Sequence, residues 1–280
     1  MNIFHTKSDL KAYLDAHKTK NKQIGFVPTM GALHKGHLSL LEKCAQENDI
    51  SVVSIFVNPT QFDNSDDLVK YPKTFEADVT LLEAANCDAI FEPSVQEIYP
   101  NNVAASPFDF EGLEHEMEGK FRQGHFNGVG TIVKTLFEIV QPHTAYFGQK
   151  DFQQLQIVKK MVQIQQLPVI IKGCKIHREK DGLAMSSRNS RLTDAHRKAA
   201  PVIFQILQEV KNKFKVDPVE TIVKWVEKEF EKQPLLHLEY FTIADEKTLK
   251  NCEQKDPKIQ YRAFIAVFAK EIRLIDNVRL

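Results

Sequence analysis

The stretch "FVPTMGALHKGH", residues 26–37, joins an apolar segment to an amphipathic one through a turn with two glycines and two histidines. The preceding residues, "QIGFVPT", are typical of a strand, and the following "HLSLLEKCAQEN" has apolar residues at helical spacing. Gly31 and Gly36 allow the backbone to turn tightly and to approach a ligand closely. The stretch therefore predicts a strand, a turn and a helix whose first turn faces a ligand.

The first turn of this helix is suited to phosphate. Its backbone N–H groups and the positive end of the helix dipole favour an anion. His34 and His37 are three residues apart, so both side chains point the same way and can donate hydrogen bonds to phosphate oxygens. A metal site is the less favoured alternative, because no cysteine or acidic residue stands at ligand spacing. The pattern also differs from the dinucleotide fingerprint and from the Walker loop.

Strands and helices alternate through the first two-thirds of the chain. Apolar segments such as "ISVVSIFV", residues 50–57, are typical of strands buried on both faces of a parallel sheet. Strand–helix–strand units predict a right-handed α/β sheet over residues 1–176, with its ligand site beyond the carboxyl ends of the strands. Two helical patterns and three β-rich segments follow, which predicts a smaller α+β domain over residues 177–280.

Composition narrows the class of protein. With 280 residues, of which 42% are hydrophobic, the chain can bury a full core. Lysine and arginine together number 37, as do aspartate and glutamate, so the zero net charge argues against nucleic acid as the main partner. The four cysteines are far apart, and no export signal or membrane-length apolar run is present. We expect a cytoplasmic protein with reduced thiols and no membrane partner.

Two further segments carry groups suited to phosphate. "FGQKDFQQ", residues 147–154, places Lys150 directly after a strand, at the same edge of the predicted sheet. "AMSSRNS", residues 184–190, adds two serine hydroxyls and the guanidinium of Arg188 in a polar loop. Taken alone, the lysine could be a solvated surface residue and the serines an ordinary connection. Three such clusters on one α/β frame together favour a phosphate ligand.

A small polar substrate is indicated by neutral side chains at another strand end. "FVNPTQF", residues 56–62, offers Asn58 and Gln61 as hydrogen-bonding groups, and Gln153 and Gln154 open a later helix. These groups suit a ligand with hydroxyls and a carboxylate, although glutamines on a protein surface are common. The sequence has no Ser-His-Asp or Cys-His nucleophile pattern, so we expect no covalent enzyme intermediate.

The motifs resemble a known family. "PTMGALHKGH", residues 28–37, resembles the H-x-G-H signature of the nucleotidyltransferase superfamily, and "MSSR", residues 185–188, resembles its K-M-S-K-S partner loop. From about residue 3 to residue 277 the order and spacing of motifs are similar to the pantothenate synthetase (pantoate–β-alanine ligase) family. The other segments that carry the resemblance are "SIFVNPTQF", "YPKTFEAD", "PSVQEIYP", "GHFNGVGTIV", "FGQKDFQQ", "DGLAMSSRN" and "RLIDN".

This resemblance implies an ATP-dependent condensation of (R)-pantoate with β-alanine. The pantoate carboxylate attacks the α-phosphorus of ATP, which gives a pantoyl adenylate and pyrophosphate, and the β-alanine amine then displaces AMP to give pantothenate. The resemblance also implies a Rossmann-like domain, a smaller C-terminal α+β domain that acts as a lid, Mg²⁺ bound with ATP, and a homodimer.

The resemblance assigns ATP to three segments of this chain and to His177. His37 is implied to be the proton donor, and His34, Lys150 and Arg188 are implied to act with it on the phosphates. His177 stands where relatives carry an aliphatic residue whose backbone contacts adenine, which leaves the surroundings of the base open. The residues implied to bind ATP are Met30, Gly31, Ala32, Leu33, His34, Lys35, Gly36, His37, Gly148, Gln149, Lys150, Asp151, His177, Met185, Ser186, Ser187 and Arg188.

The other substrates and the metal are assigned in the same way. Gln61 and Gln154 are implied to hold pantoate, and Gln61 also borders the β-alanine site. Asp78, in "YPKTFEAD", matches a position linked to Mg²⁺ in some relatives. Arg122, in "FRQGHF", is implied to lie near a mobile stretch that borders the site.

Two alternatives share part of this pattern. A nucleotidylyltransferase would use the same H-x-G-H turn but would release a stable nucleotide conjugate. A non-catalytic nucleotide sensor on the same fold would need no substrate pocket around Gln61 and Gln154. The nucleotidylyltransferase differs from the ligase in its product, and the sensor would show no turnover, so an assay of AMP release with each substrate omitted separates the three.

Overall fold

A computed structural model of the chain describes residues 1–62 and 65–280. By its internal contacts the chain divides into two compact units, each assembled from two segments. The domain limits expected from the sequence, residues 1–176 and 177–280, stay a prediction. The first unit comprises Met1–Gln149 and Gln154–Lys175, and the second comprises Lys150–Gln153 and Ile176–Leu280.

The first unit contains a six-stranded sheet in which every neighbouring pair of strands is parallel. The order across the sheet is β1-β4-β3-β2-β5-β6. The parallel α/β fold predicted from the alternating sequence pattern is thereby confirmed. The strands are β1 (Asn2–Phe4), β2 (Ile24–Thr29), β3 (Ile50–Ile55), β4 (Ala89–Phe91), β5 (Thr144–Gly148) and β6 (Ile170–Cys174).

The direction of winding reverses between β2 and β5. From β2 the chain adds β3 and β4 on one side, and it later adds β5 and β6 on the other. In open parallel sheets, ligands bind at such a reversal, beyond the carboxyl ends of the strands. β2 ends at Thr29, immediately before the turn that carries the two histidines, and β5 ends at Gly148. Topology thus puts the H-x-G-H turn at the ligand-binding edge of the sheet.

Helices cover both faces of this sheet. Neighbouring residues of β2 point to opposite faces, so Phe26 packs edge-on against Phe137 at a centroid distance of 6.2 Å, while Val27 joins a cluster with Leu41 and Leu82. Burying a side chain of this size contributes about 1.5–3 kcal/mol. The helices up to residue 164 are α1 (Lys7–Lys18), α2 (Lys35–Glu47), α3 (Ser65–Val69), α4 (Phe75–Ala84), α5 (Val95–Ile98), α6 (Met117–Phe121), α7 (His125–Val140) and α8 (Phe152–Ile164).

The second unit packs three helices against a three-stranded antiparallel sheet, which confirms the predicted α+β character. One prediction differs in detail, because the single helical pattern at residues 193–214 forms two helices. Pro201 lies at the break, since proline has no N–H to donate and its ring clashes with the preceding turn. The elements are α9 (Asp194–Ala199), α10 (Val202–Lys213), α11 (Val219–Glu231), β7 (His237–Asp245), β8 (Tyr261–Ala269) and β9 (Ile272–Arg279).

None of the helices within residues 1–62 and 65–280 is both long and apolar enough to span a membrane.

An ion pair between a half-buried arginine and a buried carboxylate holds the segment after β6 to strand β9. The two Nη atoms of Arg178 lie 2.6 and 2.9 Å from the two carboxylate oxygens of Asp276, and the guanidinium lies 3.8 Å from the ring centroid of Phe204. Burial raises the pKa of Asp276, and the hydrogen bonds and charge of Arg178 act against this increase. An unpaired charge in this position would be strongly destabilising, so each partner requires the other.

We predict that Arg178→Met destabilises the protein by about 3–5 kcal/mol, because it leaves a buried carboxylate without its partner. Arg197→Met is the matched control, since Arg197 also lies 2.6 Å from a carboxylate, that of Asp181, but the two side chains of that pair are 34% and 41% exposed. Its cost should not exceed about 1 kcal/mol. The measurement is urea unfolding of both variants, and equal losses of stability would contradict the prediction.

Candidate active site

The turn between β2 and α2 has an unusual backbone. Gly31 and Ala32 have φ angles of 81° and 50°, in the left-handed region that side chains disfavour. The helix begins at Lys35, with His34 as its N-cap. The two residues of positive φ reverse the chain within a short span, which allows α2 to start directly at the end of the strand.

The two histidines cap the helix reciprocally. Nδ1 of His34 accepts a hydrogen bond from the backbone N–H of Gly36 at 3.1 Å, and Nδ1 of His37 accepts one from the N–H of His34 at 3.3 Å. Their ring centroids are 4.1 Å apart. Because both Nδ1 atoms accept, the proton of each neutral ring lies on Nε2. The capping geometry therefore sets the tautomer in which Nε2 is a hydrogen-bond donor.

Asp78 lies beneath this turn and is only 1% exposed. Its carboxylate oxygens accept hydrogen bonds from the backbone N–H groups of Ala32 and Leu33 at 2.9 and 2.8 Å. Thr74 donates its hydroxyl to the same carboxylate at 3.2 Å. Mg²⁺ requires nearly octahedral oxygen ligation and usually keeps several waters. These surroundings do not fit such an ion, and the assignment of Asp78 to Mg²⁺ stays a prediction from the resemblance.

The segment that carries Gln61 is held by buried polar groups. Asn58, which is 1% exposed, donates to the carbonyl of Gly128 at 3.2 Å and accepts a hydrogen bond from the Tyr99 hydroxyl at 2.7 Å. The carbonyl of Gln61 accepts a hydrogen bond from Nδ1 of His125 at 2.7 Å. These contacts fix a 3₁₀ turn, Pro59–Gln61, at the end of the segment that follows β3.

Gln61 and Met30 lie together. The side-chain amide of Gln61 donates to the Met30 sulfur at 2.8 Å, and Arg122 donates to the Gln61 carbonyl at 3.4 Å. The structure thus joins a residue predicted for pantoate to the first residue predicted for ATP. Arg122 and His125 also contact each other, at 3.1 Å. The support from His125 was not found from the sequence, because nothing in the "GHF" motif shows that it reaches a carbonyl 64 residues away.

Helix α7 approaches the Gln61 turn too closely for any side chain at Gly128. A Cβ atom built there would lie 2.1 Å from the backbone oxygen of Thr60. Because that neighbour is backbone, it cannot move without displacing the turn itself. Gly128 is therefore required for the position of Gln61 rather than for its own flexibility.

In the second unit, Lys150 is anchored through its main chain. The amide of Asn277 donates to the Lys150 carbonyl at 2.8 Å, and its oxygen accepts a hydrogen bond from Arg262 at 2.6 Å. Arg262 pairs in turn with Glu246 at 2.8 Å and lies 4.1 Å from the ring centroid of Phe152. This chain of contacts connects the predicted phosphate-binding lysine to strands β8 and β9.

The loop with the "MSSR" motif lies beside Lys150 in the same unit. The Ser186 hydroxyl accepts a hydrogen bond from the N–H of Arg188 at 3.3 Å and so caps the 3₁₀ turn Ser187–Arg191. The carbonyl of His177 accepts a hydrogen bond from the N–H of Met185 at 3.0 Å, which closes the base of the loop. A small pocket joins the two predicted phosphate segments, and its lining includes Lys150, Ala184, Ser186, Asn189 and Asp276.

The predicted site residues near the end of β5 are divided between the two units. Gln154 belongs to the first unit, whereas Gln153 belongs to the second and is 3% exposed. Asp151 lies 3.7 Å from the ammonium group of Lys150. Gly148 and Gln149 end the first segment of the first unit, at the carboxyl end of β5.

The cysteines do not favour a covalent mechanism. All four are free and buried. Burial raises the pKa of Cys44 to about 12 and that of Cys87 to about 11. Because the thiolate is the nucleophilic form, these side chains are unreactive at neutral pH.

Comparison with known proteins identifies the family. The model of the pantoate–β-alanine ligase family matches residues 2–279. The chain belongs to this family. It is similar to the pantothenate synthetase of Flavobacterium psychrophilum, with 54% identity over the full length of both chains, and to that of Bacteroides fragilis, with 47% identity over 100% of this chain and 99% of the relative.

Solved structures of this family agree in fold. The crystal structure of pantothenate synthetase from Thermus thermophilus has a TM-score of 0.92 and 38% identity, and it covers 99% of each chain. The pantoate–β-alanine ligase of Francisella tularensis, complexed with β,γ ATP and β-alanine, has a TM-score of 0.83 and 35% identity over 100% of this chain and 97% of that chain. The predicted family, fold and enzyme class are confirmed, and this chain is a pantoate–β-alanine ligase.

We predict that Gly128→Ala raises the KM for pantoate by at least about tenfold, because a Cβ against backbone displaces the Gln61 turn. Gly130→Ala on the same helix is the control. Its Cβ would meet only ring atoms of Phe108 and Phe110 at 3.0–3.1 Å. Both variants gain the same helix propensity. A difference in KM between them therefore measures the displacement of the Gln61 turn. Equal values of KM in steady-state assays would show that the close approach does not position Gln61.

Proposed function

We propose that the first turn of α2 and the residues Met30–His37 hold the phosphates of ATP while pantoate is adenylated. The observation that carries this proposal is the reciprocal capping of His34 and His37, which directs the proton of each ring to Nε2. Two such donors beside a helix N-terminus favour negative charge that develops on a phosphate. Removing one donor of this kind typically lowers kcat about 100- to 1,000-fold.

The reaction proceeds in two displacements. A pantoate carboxylate oxygen bonds to the α-phosphorus as the bond to pyrophosphate breaks, and pyrophosphate leaves with the electron pair. The unprotonated β-alanine nitrogen then bonds to the acyl carbon, the carbon–oxygen bond to AMP breaks, and the nitrogen loses a proton. The chain's own contribution is to hold the reactants in line, which is worth an effective molarity of about 10⁵ M or more.

Specific residues are assigned to these tasks. Gln61 and Gln154 hold pantoate through hydrogen bonds to its hydroxyls and carboxylate, and Gln61 borders the β-alanine site. Lys150 and Arg188 offset the charge of the phosphates. The contact between Gln61 and Met30 supports this assignment, because it puts a side chain assigned to pantoate next to the nucleotide segment.

Mg²⁺ is proposed to accompany ATP, with phosphate oxygens as its ligands. Bound there, it would offset negative charge on the phosphates. Within residues 1–62 and 65–280, no group of three or more His, Cys, Asp or Glu side chains could hold a metal ion. This agrees with the usual binding of Mg²⁺ through substrate phosphates and few protein carboxylates.

Two further features, the location and the oligomeric state, are also proposed. A cytoplasmic location is favoured by the four free, buried cysteines, which suit a reducing compartment. A homodimer is proposed from the family resemblance alone.

The product of the reaction tests the proposal. AMP should appear only when ATP, pantoate and β-alanine are all present, because the amine is needed to release it from the acyl group. With ATP and pantoate present and β-alanine absent, the enzyme should exchange labelled pyrophosphate into ATP. The measurement is AMP release with each substrate omitted in turn. A stable nucleotide conjugate without β-alanine would favour a nucleotidylyltransferase, and no turnover at all would favour a nucleotide sensor.

His37→Ala should lower kcat/KM for pyrophosphate exchange by about 100-fold or more, since it removes a donor to the phosphates. The stability of the protein should fall by only about 1 kcal/mol, the usual cost of losing a helix cap. Pyrophosphate exchange and thermal unfolding are measured on the same preparation. A folded variant with full exchange activity would rule out the assigned role of His37.

A further inference from the structure

Asp78 is a buried carboxylate that contacts the H-x-G-H turn, and it follows the N-cap Thr74 of α4 by one helical turn. It is 46 residues away from Ala32 in sequence, so the pairing is a product of the fold. Resemblance alone links this position to Mg²⁺. The hydrogen bonds of its two oxygens point to a different role.

Each carboxylate oxygen of Asp78 accepts a hydrogen bond from the protein. Oδ2 accepts a hydrogen bond from the N–H of Ala32 at 2.9 Å, and Oδ1 accepts one from the N–H of Leu33 at 2.8 Å. Oδ1 also accepts the hydroxyl of Thr74 at 3.2 Å. A Cβ at Gly31 would lie 3.1 Å from Oδ2, so the turn is packed against the carboxylate.

The turn needs such an acceptor for two reasons. Ala32 has a φ of 50°, a conformation that an L-residue with a Cβ disfavours, so the turn relies on outside contacts to remain populated. In addition, the N–H groups of Ala32 and Leu33 immediately precede the helix cap at His34 and require partners when they are buried. One ionised carboxylate satisfies both N–H groups with charge-assisted hydrogen bonds.

We propose that Asp78 is a positioning residue that clamps the backbone of Ala32 and Leu33. The clamp holds the H-x-G-H turn in its left-handed conformation and so sets the start of α2 and the capping pair of histidines. This inference rests on the proposed function of that turn. Asp78 acts through the turn, and it is not a ligand of Mg²⁺.

Burial supports this role over that of a metal ligand. Asp78 is 1% exposed, which leaves no room for the waters that Mg²⁺ usually retains. Asp78→Asn preserves the volume of the side chain but places an N–H₂ group against a backbone N–H, which breaks one arm of the clamp.

The first test measures hydrogen exchange of the Ala32 and Leu33 amides in the nucleotide-free enzyme with EDTA present. In Asp78→Asn we expect exchange at these amides to rise about 10- to 100-fold, as befits the loss of a hydrogen bond to a charged group. Unchanged exchange would overturn the clamp, since a metal ligand has no role under these conditions. Thr74→Val removes only the hydroxyl donor and should increase the exchange rate of these amides by a smaller factor. This variant is used for the test if Asp78→Asn fails to fold.

The second test measures pyrophosphate exchange as a function of ATP and of Mg²⁺. Asp78→Asn should raise the KM for ATP about tenfold or more, while the Mg²⁺ concentration for half-maximal rate stays within about twofold of the wild-type value. The KM for β-alanine in the full reaction should not change. A large shift in the Mg²⁺ requirement, with amide exchange unaltered, would assign Asp78 to the metal and overturn the inference.

Asp88→Asn is the matched control. Asp88 also accepts hydrogen bonds from a backbone N–H and a hydroxyl, both of Ser51 at 2.8 Å, but at the amino ends of β3 and β4. Its loss should leave the KM for ATP unchanged. The two tests also separate the inference from the proposed function. Faster amide exchange in Asp78→Asn with an unchanged KM for ATP would keep the clamp but show that ATP does not bind at the turn.

Discussion

The reversal of strand order between β2 and β5 is the constraint on which the site depends. It leaves a gap between the outgoing connections, so the segment after Thr29 can turn directly into α2 at the edge of the sheet. In the proposed mechanism the H-x-G-H turn lies at this edge of the sheet, and Gly148 and Gln149 follow at the end of β5. The hydrophobic clusters on the two faces of the sheet fix both strands and leave the carboxyl edge free for polar groups.

Buried side chains that hydrogen-bond to backbone recur throughout the structure. Asn58 holds the carbonyl of Gly128, Asn277 holds that of Lys150, and Asp78 holds two amides of the H-x-G-H turn. Each contact joins segments that are far apart in the sequence. A buried polar group that loses its partner is costly, so these contacts specify one arrangement of the loops rather than several. Loops with few regular hydrogen bonds acquire their geometry in this way.

The sequence predicted the α/β frame, because alternating strand and helix patterns are local. The phosphate role of the turn was predicted from the spacing of His34 and His37 and stays a prediction. It did not predict the break at Pro201 within an otherwise continuous helical pattern. Nor did it find the anchoring of Lys150, since Asn277 lies 127 residues away and no periodicity marks it. For Asp78 the motif was recognised, but the direction of its hydrogen bonds is a property of the folded chain.

The segment Lys150–Gln153 belongs to the second unit although it is flanked on both sides by the first. A fragment cut after Lys175 would therefore lack the carbonyl that satisfies the Asn277 amide and the aromatic ring beneath Arg262. Phe264 would also lose its contact with Phe152, whose centroid lies 5.8 Å away. The C-terminal part of the chain is thus not a separable module. Its packing is completed by the four residues Lys150–Gln153 from the middle of the sequence.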